Sequence, residues 1–268
     1  MTNTFESPAF GNRVRSMLKL DFYRLLHTPA FYIFLVIAAI IPAMVLSLAG
    51  ADMSPPQSNS QYSANTPQMS MPEFDNAWQM IESTGGSAIA DDPLDFAGFA
   101  NINMLFIFAG LLMSIFVAHD YSSGFVKNIF TVHSKRIDYV IAKSAIGMFS
   151  GASMIVTYVL GTVIAGLLSG KAFDVNVSGL IFCLISKAFL MGIFCSLFLG
   201  VAVFFRNKLW LTIAFTFLLG MMLYPAATNI ADLNSTVVTM LLALIAGAVG
   251  AIGFGAVSLR FLKKRDLA

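Results

Sequence analysis

The chain has 268 residues, 57% of them hydrophobic and 11% charged, with a mean hydropathy of +0.79 and a net charge of +2. A soluble domain carries about 25% charged residues, so this composition excludes a water-soluble protein that hides its apolar surface in a core of its own. Several apolar runs reach about 20 residues, enough to cross roughly 30 Å of hydrocarbon as helix.

Residues 1–28 read as a polar-side segment: 1–11 are flexible, and Asn12 to His27 carries Val14, Met17, Leu18, Phe22 and Leu25 at helical spacing, with Arg13, Arg15, Lys19 and Arg24 mostly elsewhere. That pattern predicts an amphipathic helix lying on the membrane surface. Thr28-Pro29 breaks it and turns the chain inward. Residues 29–268 then form one six-span transmembrane domain. The spans are expected at about 30–49, 99–118, 144–168, 178–204, 209–224 and 235–259. Pro42 is expected to kink the first of them. The first apolar run is long enough to span and lacks a convincing cleavage site, so it reads as a retained span rather than a signal peptide.

The loop at 50–98 is long, polar and acidic: it holds Asp52, Glu73, Asp75, Glu82, Asp91, Asp92 and Asp95 and no Lys or Arg. Its Pro/Ser/Asn/Gln-rich part, 54–70, reads as mobile. Pro72 to Glu82 suggests a short helix with Trp78 at the interface. Of the 16 Lys and Arg, 14 fall before the first span, between spans two and three, between spans four and five, or after span six. Positive residues stay on the cytoplasmic side. Both termini are therefore expected in the cytoplasm, with the acidic loop outside. The fold class that follows is an all-α membrane protein: an N-terminal amphipathic surface helix plus six transmembrane helices.

Residues 119–143, HDYSSGFVKNIFTVHSKRIDYVIAK, form a polar, basic island between apolar runs. Ser122 or Ser123 is placed to cap a short helix. That helix has Phe125, Val126, Ile129 and Phe130 on one side and Lys127 and Asn128 near the other. Such a knob suits a partner's groove; a basic loop touching anionic headgroups is the alternative.

Lys187 lies about 14 Å into span four at helical rise, where charge is costly and faces protein or water. It marks the translocation path or a subunit interface, or else snorkels outward or ties to a backbone carbonyl. Cys183 and Cys195 share one helical run, about 18 Å apart, too far for a disulfide. Small residues recur at Gly147 and Gly151, and at Ala243, Gly247, Ala251 and Gly255. They allow close helix packing, within the subunit or between subunits. The nearest approach to a phosphate-binding loop, around Gly170-Lys171, lacks the required first Gly and the Ser/Thr after Lys. The histidines His27, His119 and His133 show no ligand spacing. The outer-loop Met residues suit partner contacts better than a soft metal, so no metal site is expected.

The order Asp120–Tyr121–x–x–Gly124–x–x–Lys127–Asn128, then Ser134–Lys135–Arg136, then Tyr139 and Lys143, resembles the loop between spans two and three of ATP-binding-cassette permeases of the type-2 exporter class. KLDFYRLLHTPAFYIF, residues 19–34, resembles the entry helix of the same family. The matching positions are Asp120, Gly124, Lys127, Arg136 and Lys143, although members often carry Glu where this chain has Asp21 or Asp120. The resemblance implies a coupling loop that seats on a separate ATPase. It assigns ATPase coupling to Asp120, Ser123, Gly124, Phe125, Lys127, Asn128 and Arg136. It implies two cytosolic ABC ATPase subunits, which bind the ATP and Mg, and a second permease in a homo- or heterodimer. The chain itself then binds no cofactor and is not an enzyme.

The expected function is an ATP-driven exporter permease in a bacterial plasma membrane, surrounded by membrane lipids and without nucleic-acid partners. With 25 Phe and few buried charges, an amphipathic or hydrophobic cargo such as a peptide antibiotic fits better than a sugar or metal ion. The rival is a membrane sensor or scaffold of an ATPase complex that binds or expels membrane-associated peptides without a pore.

Overall fold

The computed structural model describes residues 9–49, 76–81, 101–131, 135–205, 208–228 and 231–265. Among these the elements are α1 (Phe10–Leu26), α2 (Pro29–Ala49), a 3-10 turn (Ala77–Met80), α3 (Met104–Ser122), α4 (Phe125–Thr131), α5 (Arg136–Leu168), α6 (Val177–Phe205), α7 (Leu209–Thr228) and α8 (Val237–Arg265). No strand occurs among the described residues. Among the described residues, five helices are long and apolar enough to cross a membrane: α2, α3, α5, α6 and α8. The expected fifth span falls on α7, a 20-residue helix whose apolar stretch, Leu209–Leu223, is shorter. Most of the 50–98 loop, the Arg206-Asn207 turn and Ser134 lie outside the described residues.

The break between α1 and α2 comes where Pro29 was expected to force it. His27 and Thr28 donate their amides back to Tyr23, Arg24 and Leu25 carbonyls, and Pro29, with no N–H to satisfy, starts the next helix. α2 runs on through Pro42 as one helix.

The island differs from its expectation as a loop. α3 extends through His119–Ser122, and α5 begins at Arg136 rather than near residue 144. The reason lies in its first turn. Asp138 accepts from the Lys135 backbone N–H (3.2 Å) and from Arg13 Nε (2.9 Å). An acid there suits the positive end of the helix dipole.

α3 and α6 occupy the middle of the bundle: 67% and 61% of their apolar windows are buried, against 11% for α8. Small residues set the distances. Phe198 of α6 lies so close to Gly110 that a Cβ there would come within 2.2 Å of its ring. Gly161 faces the Ala39 carbonyl, where a Cβ would stand at 2.4 Å. Gly147 and Gly151 seat Cys195 and Met191, and Gly247 seats the Phe189 backbone. Both small-residue stripes therefore pack inside the subunit. Cys183 and Cys195 are buried free thiols.

At the far end of α5 the described part of the long loop is anchored. Asn76 Oδ1 accepts the Trp78 N–H (3.0 Å), Ala77 N–H donates to Ala172 O (2.9 Å), and Tyr158 Oη donates to Met80 O (3.1 Å). Trp78 is buried and packs edge-on to Phe173. Of the short helix expected at 72–82, the described residues 76–81 hold a 3-10 turn, Ala77–Met80.

Candidate functional site

The buried side of α1 runs through Met17, Asp21 and Leu25. These are four residues apart and therefore stack on one helix face. Asp21 is thus carried inward with the apolar stripe and is fully buried. Arg24, one turn on, lies half-buried beside it. α3 supplies Asp120 from its last turn, and α5 supplies Tyr139 and Lys143, again four apart; all three are buried.

These five side chains form one network. Lys143 Nζ lies 2.7 Å from Asp21 Oδ1 and 2.6 Å from Asp120 Oδ2. Arg24 Nη2 lies 2.6 Å from Asp120 Oδ1, a charge contact without the alignment of a hydrogen bond. Arg24 Nη1 is 3.7 Å from Asp21. Tyr139 Oη donates to Asp120 Oδ2 at 3.1 Å. Two carboxylates face an ammonium and a guanidinium, so the formal charges cancel. Removing Lys143 or Asp120 leaves a buried charge uncompensated, which typically costs about 3–5 kcal/mol. Burial pushes the Asp21 carboxyl above its ordinary pKa, against the opposing pull of Lys143.

The network reaches α4 through rings. The Arg24 guanidinium sits 3.8 Å from the centroid of Phe125, the first residue of α4. Phe130, near the other end of α4, meets Tyr139 edge-on at 5.9 Å. Lys143 Nζ lies 4.1 Å over Phe116. α4 is therefore gripped at both ends by residues that themselves hold Asp120. Between the grips Val126 is buried, while Lys127 and Asn128 are exposed.

Gly124 makes the corner between α3 and α4. Its φ is +71°, a left-handed conformation that only glycine adopts without strain. Its carbonyl accepts the Asn128 N–H at 3.2 Å. The expected serine caps point the other way. Ser122 Oγ donates to His119 O and Ser123 Oγ to Asp120 O, so both close the end of α3 rather than start α4.

The structure thus sorts the anticipated coupling residues. Ser123, Gly124, Phe125, Lys127 and Asn128 lie on or beside α4, and Arg136 opens α5. Asp120 is not on the outer surface at all; it is the hub beneath. Arg24, Asp21 and Tyr139 were not singled out for this site. Asp21 was legible from its phase with Met17 and Leu25, whereas the convergence of α1, α3 and α5 had no local signature.

Lys187 stands apart from this network. It is 1% exposed, and its Nζ donates to Asn103 Oδ1 at 2.7 Å, at the start of α3. It neither snorkels nor binds a backbone carbonyl in this bond; its partner is a side-chain amide. Among the described residues no group of three His, Cys, Asp or Glu converges as a metal site.

The chain is a multi-pass helical membrane protein with a short helix braced at the ends of its spans. The family model described as ABC-2 family transporter protein matches residues 17–223, a stretch from α1 to α7 that includes the whole ionic network. The chain belongs to this ABC-2 transporter family and is a membrane permease subunit of an ABC transporter. Its family works with ABC ATPase subunits. No curated protein and no solved structure gives a match.

Proposed function

We propose that this chain is the permease of an ATP-driven exporter, and that α4 is the element on which a cytosolic ATPase pushes. The observation that carries this reading is the double grip on α4, by Arg24 on Phe125 and by Tyr139 on Phe130. A load on the exposed Lys127–Asn128 side passes through those rings to Asp120. From there it reaches α1, α3 and α5 together, because Asp120 belongs to α3 and is held from α1 and α5. A buried, close-packed joint of this kind moves as a unit rather than deforming.

In this reading the basic end of the bundle, with both termini, faces the cytoplasm of a bacterial cell, and the acidic loop faces out. Two ATPases hold ATP and Mg. Two permeases, identical or not, alternate access to a shared pathway. The mostly apolar lining of the spans favours an amphipathic or hydrophobic cargo, of which a peptide antibiotic is the leading case.

The test is site-directed cross-linking. Asn128→Cys, in the complex purified with its ATPase, should form a disulfide with a cysteine placed in the ATPase's permease-facing groove, and the yield should change with ATP. A cysteine at Val237, near the other end of the bundle, should not. Cross-linking at Val237 and none at Asn128 would sink the reading. Cross-linking at Asn128 with no cargo-stimulated hydrolysis would favour the sensor or scaffold alternative over transport.

A further inference from the structure

Beside α4 lies an open cavity of about 460 Å³, lined by Phe130, Lys135, Arg136, Ile137, Leu259 and Lys263. Three of the six are cations, contributed by two helices that are distant in sequence. Lys135 and Arg136 stand at the N-terminus of α5, whose dipole adds to the positive potential there. Lys263 comes from the last turns of α8. Among the described residues, the neighbouring acid Asp138 is 1% exposed and occupied by Arg13. The other three lining residues are apolar.

The apolar wall continues up α8. Leu259, Ile252, Ile245 and Val238 recur every seven residues, with Val249 and Leu242 between them, and Lys263 follows Leu259 by four. Residues at these spacings share one helix face. Ile252 is 73% exposed and Val238 64%, so the track is open along the helix. A cation-lined hollow at one end of a membrane-length apolar track matches one amphiphile: a phosphate group carrying an acyl chain. A second copy seated on the track by a two-fold axis along the membrane normal would bring its own Lys263 against this one, and like charges facing each other across an interface are unfavourable.

We propose that this cavity binds an anionic phospholipid, its phosphate among Lys135, Arg136 and Lys263 and an acyl chain along the α8 track. Basic hollows between membrane helices at headgroup level hold such lipids. The lipid would also brace Phe130, and through it Tyr139, although the binding itself does not depend on any ATPase.

The test uses the purified full-length chain in detergent, offered equal phosphatidylglycerol and phosphatidylcholine, with retained lipid counted by native mass spectrometry. The wild type should retain phosphatidylglycerol preferentially. Lys135→Gln with Lys263→Gln, both exposed, should cut that retention roughly tenfold or more, because each cation near a headgroup contributes measurably. Arg260→Gln, an exposed cation on α8 outside the cavity, should change nothing. Ile252→Asn with Val249→Asn should weaken retention while leaving the headgroup preference in place. The proposal is overturned if phosphatidylglycerol is not preferred, or if the double Lys variant keeps the preference. Equal loss in Arg260→Gln overturns it by showing bulk charge. Complete displacement by inorganic phosphate at the lipid's concentration overturns it by showing a free-anion site.

Discussion

Arg24 of the surface helix lies with its guanidinium 3.8 Å from the ring of Phe125, the first residue of α4, while Nη2 of the same side chain touches Asp120. One arginine thus joins the outermost helix of the molecule to the short helix at the ends of its spans and to the buried carboxylate beneath. Replacing Phe125 with Ala removes an aromatic face contributing about 0.5–2 kcal/mol. The expected outcome is a permease that inserts and still binds its ATPase, with cargo-stimulated hydrolysis reduced several-fold. Phe125→Trp, which offers a stronger face to the cation, should retain it. Hydrolysis measured alongside pull-down of the ATPase checks both.

The Lys143–Asp120 contact predicts strong non-additivity. Lys143→Met leaves Asp21 and Asp120 sharing one arginine and should destabilise the protein by about 3–5 kcal/mol. Asp120→Asn should be similarly severe, since it serves Arg24, Lys143 and Tyr139 at once. The double variant should cost less than the sum, with a coupling of about 0.5–3 kcal/mol. Thermal unfolding in detergent of the four proteins gives the cycle.

Asp21 supplies a pH dependence. Burial raises its folded-state pKa above the ordinary carboxylate value, so the native protein takes up this proton at a higher pH than the unfolded chain does. The stabilisation from neutral Asp21 is fully present below the unfolded value and is lost as pH rises through the raised one. Asp21→Asn resembles the neutral form at every pH. The wild type should therefore lose stability relative to Asp21→Asn as pH rises above the ordinary carboxylate range, in thermal unfolding compared at matched pH.

Lys187 and Asn103 are a pair to be broken together. Asn103→Leu leaves the buried Lys187 Nζ without this partner and should be the more damaging single change; Lys187→Met should insert normally but transport poorly. If their hydrogen bond is a structural tie, the double variant recovers stability and transport, because replacing both partners by apolar groups is nearly neutral. Recovery of stability without transport would place Lys187 on the cargo's path.

Gly124 tests the corner. A Cβ there meets nothing within 4 Å, so Gly124→Ala is penalised by its left-handed backbone alone, about 1–2 kcal/mol. Gly124→Asn should cost less, because Asn enters that conformation more readily. Melting temperatures that fall equally for both would contradict this origin.

Much of this was readable along the chain. Apolar runs of spanning length announced α2, α3, α5, α6 and α8, and the Thr28-Pro29 break set the end of α1, because proline's effect on its predecessor is local. The short helix α4 was visible too, since the pattern places Phe125, Val126, Ile129 and Phe130 on one side of it. Two expectations misled for the same reason. Asp120 and Lys143 are expected in a polar loop that the resemblance assigns to ATPase contact, and both are buried instead. Burial of each depends on partners more than 15 residues distant in sequence, which no local pattern displays.

Composition and periodicity by themselves determined that this is a helical membrane protein, and where its short basic helix lies, because hydrocarbon imposes length and apolarity on every span regardless of its neighbours. Only the tertiary structure decided that Asp21, Arg24, Asp120, Tyr139 and Lys143 meet. Their charges are tolerated inside the protein only as a set, and a set drawn from three helices exists nowhere until those helices pack.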